Sequence, residues 1–342
     1  MDIQIAIFDQ FHERLHSSLE KYLTMTSSIA RTMQGISKEE QAQLQGIGGL
    51  DRLCRVYGSS EYLEKKMRDW SDDVFFLELW DELQFRARQN IGSSKTIAGN
   101  MSITDVAGRT SSVVGSDEDS GALFDETSAA YRRLRVKTEN IIQDTLAYNL
   151  RESLRPYGRI NPWASLSSEA PPSSLAPSAE LDATIQQLSS YLPFLAKALA
   201  DAPLRRISRQ LSLAMQTFLW DYVLLRNSFS AQGAAQFQRD VSAIWDVFDR
   251  FVGPGQGHLG MRKLYEALQL LNMPITPDSA EVEGTEDADA TPQQKRSLRR
   301  IERMVFQDNE SARDVLEELG FNDISESDAR NILEKRIELQ TY

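Results

Sequence analysis

The chain carries one cysteine, Cys54, and three histidines in 342 residues. A single cysteine allows neither an intrachain disulfide nor a zinc site built from several thiolates, so a reducing, cytosolic compartment is the expectation. Long apolar runs are missing as well: no stretch approaches the roughly 18–20 residues that cross a bilayer. The opening MDIQIAIFDQ has acidic residues at its edges and no basic region, so it is not expected to act as a secretory signal. Any membrane connection is therefore expected to be peripheral or through a partner. Basic residues are outnumbered, 38 against 50 acidic, and the net charge of −12 argues against a general nucleic-acid surface, which needs clustered Lys and Arg. Strand patterns are scarce. IQIAIF alternates, but it also continues a helical stripe, and nothing else supplies a partner strand.

What is present is helical periodicity. Apolar residues make up 41% of the chain and charged ones 26%, a balance suited to a folded chain. From Ile7 the positions Phe8, Phe11, Leu15, Leu19, Tyr22, Thr26, Ile29 and Met33 stay on one side of a 3.6-residue helix. A shorter helix is expected after Ser37, whose spacing to Glu40 fits a capping box, ending near Gly46. Gly48, Gly49 and Gly58 predict two short helices, around 50–57 and 60–69. Ser71 is expected to cap the next helix, with Asp72 and Asp73 in its first turn. That helix, DDVFFLELWDELQFRAR, is apolar on more than one face and is expected to lie between neighbours.

Residues 91–121 lack an apolar period and are rich in Gly and Ser, which predicts a disordered loop. Helical spacing resumes at Leu123 and runs to about Arg155. Five of the eleven prolines lie between Pro156 and Pro177, predicting an irregular connection. Four helices are expected up to Asn272. The first spans about Ala179 to Ala200, with Pro193 as a kink or break. The second opens at Pro203, the third follows Ser230, and the fourth is LGMRKLYEALQLLN, stopped by Pro274. TPDSAEVEGTEDADAT has six acidic residues and no basic one, a solvated linker by composition. Thr291-Pro292 opens a basic helix, and two short helices follow, the last beginning at Ser325 with Asp328 at capping-box distance. The expected organisation is thus an N-terminal bundle segment over 1–90 and the loop over 91–121. A central bundle over 122–273, an acidic linker over 274–291 and a short-helix region over 292–342 complete it. The fold class is all-α, an elongated rod of stacked helical bundles.

Three constellations could carry function. His12-Glu13-Arg14-Leu15-His16 matches H-E-x-x-H, which places two zinc ligands on one helix face with a glutamate as general base. Both histidines, however, flank the apolar stripe centred near Leu15. A third ligand would have to be the distant His258 or a carboxylate such as Glu39 or Glu40, and zinc peptidases usually bind substrate along a sheet edge. Half-buried histidines bordering a packed helix face are the expectation, and a zinc hydrolase the alternative. The pairs Asp72-Asp73 and Asp81-Glu82 resemble half of a magnesium-binding D-D-x-x-D, but the third carboxylate is missing and the second pair lies two to three turns away. Lys295, Arg296, Arg299, Arg300 and Arg303 form a basic stripe opposite Leu298, Ile301 and Val305. Of these, Arg296, Arg299 and Arg303 are the candidates for touching anionic lipid or an acidic partner, against the plainer expectation of a solvated face. Arg205, Arg206 and Arg209 form a smaller cluster with the same two readings. Cys54 is expected to pack as a small apolar residue. There is no G-x-S-x-G and no phosphate-cradling glycine motif.

Several blocks together resemble the RINT/TIP family of subunits of Dsl-type (NRZ-type) tethering complexes. They are FHERLHSSLEKYL, GLDRLCRVYGSSEYLEKKMRDWSDDVFFLELWDEL, FDETSAAYRRLR, PFLAKALADAPLRRISRQL and FLWDYVLLRNSFSAQGAAQFQRDVSAIWDVF, in order from residue 8 to about 273. VLEELGFNDISESDARNILEKR resembles the family's C-terminal end. The resemblance implies a CATCHR-like helical tethering fold, related to subunits of exocyst, COG and GARP. It implies no catalysis, no cofactor and no small-molecule substrate. It implies as partners the other Dsl-type subunits and SNAREs of the endoplasmic reticulum, with peripheral attachment to the cytoplasmic face of that membrane during retrograde Golgi-to-ER transport. The resemblance covers only the C-terminal part of the family's usual length, so the N-terminal pairing helices are expected to be absent from this chain.

Overall fold

The structure is a computed structural model, described here for residues 2–27, 44, 46–89, 123–166, 176–275 and 297–340, with side chains excluded at 2–5, 83, 84 and 86–89. Most of the helix expected after Ser37, the loop over 91–121, all but Pro274 and Ile275 of the acidic linker, and Lys295 and Arg296 lie outside these residues. Twelve α-helices are found among the described residues, and no strand beyond one isolated parallel bridge between Phe229 and Arg336. The fold is all-α. The chain divides into two compact units, Met1–Thr145 and Leu146–Tyr342.

In the first unit, α1 (Asp2–Thr26) includes the IQIAIF stretch as helix, and packs on α2 (Ile47–Ser71). Phe8, Leu19 and Tyr22, taken from the predicted stripe, are buried. Phe8, Met67, Phe124 and Tyr131 form the core, with Leu15, Leu63, Phe76 and Leu123 against it. Its aromatic rings meet edge to face, Phe8 on Phe124 at 6.3 Å and Phe76 on Phe124 at 5.1 Å, the geometry that ring quadrupoles favour. The buried Glu64 carboxylate accepts from Arg68 Nη2 at 2.9 Å and from Arg135 Nε at 2.7 Å. Arg135 belongs to α4 (Asp125–Leu154), so this pairing ties α2 to α4.

Three expectations fail in this unit. The glycines do not divide α2, which runs unbroken through Gly48, Gly49 and Gly58. Glycine weakens a helix by only about 1 kcal/mol, and Leu50, Leu53, Val56, Tyr57 and Met67 bury enough surface to outweigh it. Gly49 is also there for closeness: a Cβ would lie 1.6 Å from the Leu44 carbonyl oxygen. Ser71 is not an N-cap but the last residue of α2, its Oγ donating to the Met67 carbonyl at 2.9 Å. Asp73 takes the role instead, its carboxylate accepting from the Phe75 amide at 2.9 Å at the start of α3 (Val74–Gln89). Finally, α3 is not enclosed within its unit, since Val74 is 68% and Phe75 65% exposed.

The second unit is organised around α7 (Ala231–Phe251), whose Phe237, Val241, Ile244 and Phe248 are fully buried at steps of three and four. It packs against α5 (Asp182–Ala198), the short α8 (Gln256–Leu259) and α9 (Arg262–Leu271). Ser230 caps α7, its Oγ accepting from the Gly233 amide at 3.0 Å. Pro193 breaks nothing, for α5 passes through it, while Pro203 sits in the first turn of α6 (Asp201–Leu219) as expected. The helix foreseen as LGMRKLYEALQLLN is interrupted at Gly260-Met261, between α8 and α9. The helix of Pro203 ends in a π turn, Trp220–Leu224, in which the Leu225 amide bonds five residues back to the Trp220 carbonyl at 3.0 Å.

Buried polar groups fix this unit's register. The Asp240 carboxylate accepts from Tyr157 Oη at 2.9 Å, from the amide and Oγ of Ser178 at 2.7 Å each, and from Gln236 Nε2 at 2.9 Å. Burial pushes the Asp240 carboxyl above the usual carboxylate range, against the pull of those donors. The C-terminal helices α10 (Leu298–Gln307), α11 (Asn309–Glu318) and α12 (Glu326–Leu333) pack on one another, and α12 packs on α9. Ser325 and Asp328 form the predicted capping box. Glu266 of α9 clamps the turn before α12, accepting from the amides of Asn322 at 2.9 Å, Asp323 at 2.8 Å and Ile324 at 3.0 Å.

Candidate functional site

His12 is half-buried in α1, its ring edge-on to Tyr131 at 5.3 Å, and it shares a hydrogen bond with the Ala130 backbone. Burial, followed by the nearby His16, lowers the His12 pKa below its ordinary value. His16 and Glu13 are exposed, with His16 Nε2 3.7 Å from Glu20 Oε1. The two imidazoles lie 6.2 Å apart. Among the described residues, no group of three or more His, Cys, Asp or Glu is placed to hold a metal ion. His258 stacks on Tyr265 at 5.3 Å. Cys54 is buried, and the loss of water pushes its thiol up to about 12, which suits packing rather than nucleophilic attack.

The basic stripe of α10 is divided between roles. Leu298, Ile301 and Val305 are fully buried, as their spacing requires. Arg300 Nη2 lies 3.5 Å from Glu318 of α11, while Arg303 is exposed. Arg299 is half-buried and lines a cavity of about 580 Å³ with Asn272, Met273, Arg336 and Glu338. Arg336, only 2% exposed, donates from Nη1 to the Leu271 carbonyl and from Nε to Glu338 at 3.1 Å. Arg336 therefore stitches the chain's end to α9, and the cavity wall it forms is already satisfied.

A further basic site escaped the sequence reading. Arg151 lies in the last turn of α4, Arg155 directly follows that helix, and Arg159 ends the 3₁₀ turn Tyr157–Arg159. Arg226 follows the π turn. With Gly158, Phe218 and Tyr222 they line a cleft of about 460 Å³. Two of these lining residues are stacked rings, Phe218 on Tyr222 at 4.8 Å and 15°. The Arg226 guanidinium lies 4.3 Å from the Tyr222 ring centre. Gly158 is needed there, because a Cβ would stand 2.9 Å from Phe218 Cζ. The fragment RESLRPYGR displays three of the arginines, but only the π turn's re-aiming of Tyr222 and Arg226 brings the fourth beside them.

The all-α fold has a counterpart among solved structures. It matches the Tip20 chain in the crystal structure of the SNARE Sec20 bound to the Dsl1 complex subunit Tip20, with a TM-score of 0.56 and 17% identity. The match covers 88% of this chain and 44% of that one, so the chain spans less than half the length of that neighbour. The RINT-1/TIP-1 family model matches residues 1–336, and the chain belongs to that family.

Proposed function

We propose that this protein is a non-enzymatic vesicle-tethering subunit that binds SNAREs of the endoplasmic reticulum and other subunits of a Dsl-type complex. It acts in retrograde Golgi-to-ER transport, attached peripherally at the cytoplasmic face of the ER membrane. The observation that carries this reading is family membership over nearly the whole chain, together with a fold shared with Tip20, a subunit crystallised with the SNARE Sec20. No helix among the described residues is long and apolar enough to cross a membrane, which fits attachment through partners. The chemistry asked of such a subunit is recognition. Several binding surfaces carried on one folded chain raise the effective concentration of one partner near another without any covalent step. Arg299 and Arg303 of α10, with Arg296 before it, are assigned to contact with a partner or with anionic lipid. Flotation with vesicles of rising anionic content tests the lipid half: binding that ignores lipid charge removes it.

The reading is tested by pull-down of the folded chain with the N-terminal cytosolic regions of ER SNAREs. Capture of at least one of them is expected. Failure to capture any, beside a known SNARE-binding tether that succeeds, would overturn it.

A further inference from the structure

We propose that the arginine cleft of the second unit is a docking site for an acidic segment of a partner protein, read through its carboxylates. The inference rests on the cleft itself and does not need the tethering assignment. Three observations carry it. The first is charge left uncompensated in a chain rich in acid. Arg155 pairs with Glu152 at 2.8 Å, but among the described residues Arg151, Arg159 and Arg226 have no carboxylate partner, although acidic residues outnumber basic ones 50 to 38. Guanidinium groups gathered without counter-charges repel one another, and an anionic ligand removes that cost.

The second observation is preorganisation. Stacking on Tyr222 restrains the Arg226 plane, and a stacked guanidinium keeps its N–H donors pointing outward at the ring's edge. Tyr222 is 41% exposed although its ring lies between the nearly buried Phe218 and the Arg226 guanidinium, so an exposed aromatic rim adjoins the charges. Gly158 lets the 3₁₀ turn lie against these rings, and any side chain there would push into the ring pair. Arginines arrive from two separate elements, α4 with its 3₁₀ extension and the segment after the π turn, so a ligand would be held from two sides.

The third observation is shape, which selects the ligand class. A cleft of about 460 Å³ admits side chains, whereas a bilayer presents a broad surface that bears on protruding residues. The chain's net charge of −12 also opposes approach to an anionic membrane as a whole, while a local site acts within about a Debye length, roughly 8–10 Å. Planar guanidinium forks match carboxylates in a bidentate fashion, and the exposed rim of Tyr222 offers apolar contact to the methylene groups beside them on a peptide.

The test is fluorescence anisotropy with the full chain and a labelled peptide carrying Glu at helical i, i+4 spacing, with its Gln counterpart as comparison. The proposal expects the Glu peptide to bind at least about 10-fold more tightly than the Gln peptide, and to weaken as salt rises. The double variant Arg151→Glu/Arg159→Glu, both exposed, should lose about 10-fold or more. The variant Arg52→Glu/Lys65→Glu, which makes the same charge change on exposed positions of α2, should bind as the parent does. Tyr222→Ala should weaken binding without altering the salt slope. Unchanged thermal unfolding of each variant shows that the fold is kept. Equal affinity for the two peptides, or equal loss in the two charge-reversal variants, overturns the proposal. So does arginine-dependent binding to anionic vesicles by a chain that ignores the Glu peptide, an outcome that would assign the cleft to lipid.

Discussion

The His12 ring leans on Tyr131, whose hydroxyl donates to the Phe8 carbonyl at 2.6 Å, and this packing keeps the imidazole partly out of water. Desolvation, then the His16 charge, sets its pKa below the ordinary 6.5. Between the folded value and 6.5 the unfolded chain binds more protons than the folded one. The stability contributed by neutral His12 is therefore present above 6.5 and is lost as pH falls through the folded value. His12→Phe keeps a ring against Tyr131 and removes the titration. Its first unit should lose less stability than the parent's between about pH 7 and about pH 5, read as the shift in denaturant midpoint. A parent and variant that lose stability in parallel would show that His12 is not the group responsible. The histidine spacing was legible in the sequence, and so was its likeness to a stripe edge. The partner, Tyr131, was not, because it lies more than a hundred positions away and no local period points to it.

At the scale of elements, periodicity carried well where a helix buries one stripe and less well where glycine or a cap decides the boundary. The start of α7 after Ser230 and the Ser325–Asp328 box were readable because each cap acts within three residues. The continuity of α2 was not, because the burial that outweighs its glycines comes from tertiary contacts. The break at Gly260 has a comparable cause: a Cβ there would meet Ser212 Cβ at 2.5 Å, so the turn exists to let α6 approach. Two predictions belong here. In Gly233→Ala the new Cβ would stand 1.9 Å from the Trp163 carbonyl oxygen, which is backbone and cannot swing aside. The second unit should lose about 2 kcal/mol or more, seen as a lowered calorimetric transition, while an unchanged transition would contradict this packing. Glu266→Gln presents an amide N–H to backbone donors that now meet carboxylate oxygen. A loss of about 2–3 kcal/mol is expected. It should appear in hydrogen exchange as reduced protection of 320–333, with α5 and α6 unchanged. Protection lost equally throughout the unit would show that the clamp is not local.

For the whole molecule, the all-α class was visible in helical periodicity and the family in the order of sequence blocks, and the family model and the Tip20 fold bear both out. The arginine cleft was not visible. It needs the 3₁₀ turn after α4 and the π turn after α6 to meet, and each is an irregularity that a 3.6-residue period cannot announce. That contrast has a physical origin. Repeating burial writes itself into spacing, whereas an interaction surface is assembled from residues that spacing leaves exposed. The proposed function depends on such surfaces. The most direct measurement is equilibrium co-elution, by gel filtration with light scattering, of the folded chain with the cytosolic region of an ER SNARE. The account predicts a complex of the two chains' summed mass. Separate elution at concentrations where an established SNARE-binding tether forms its complex would contradict it.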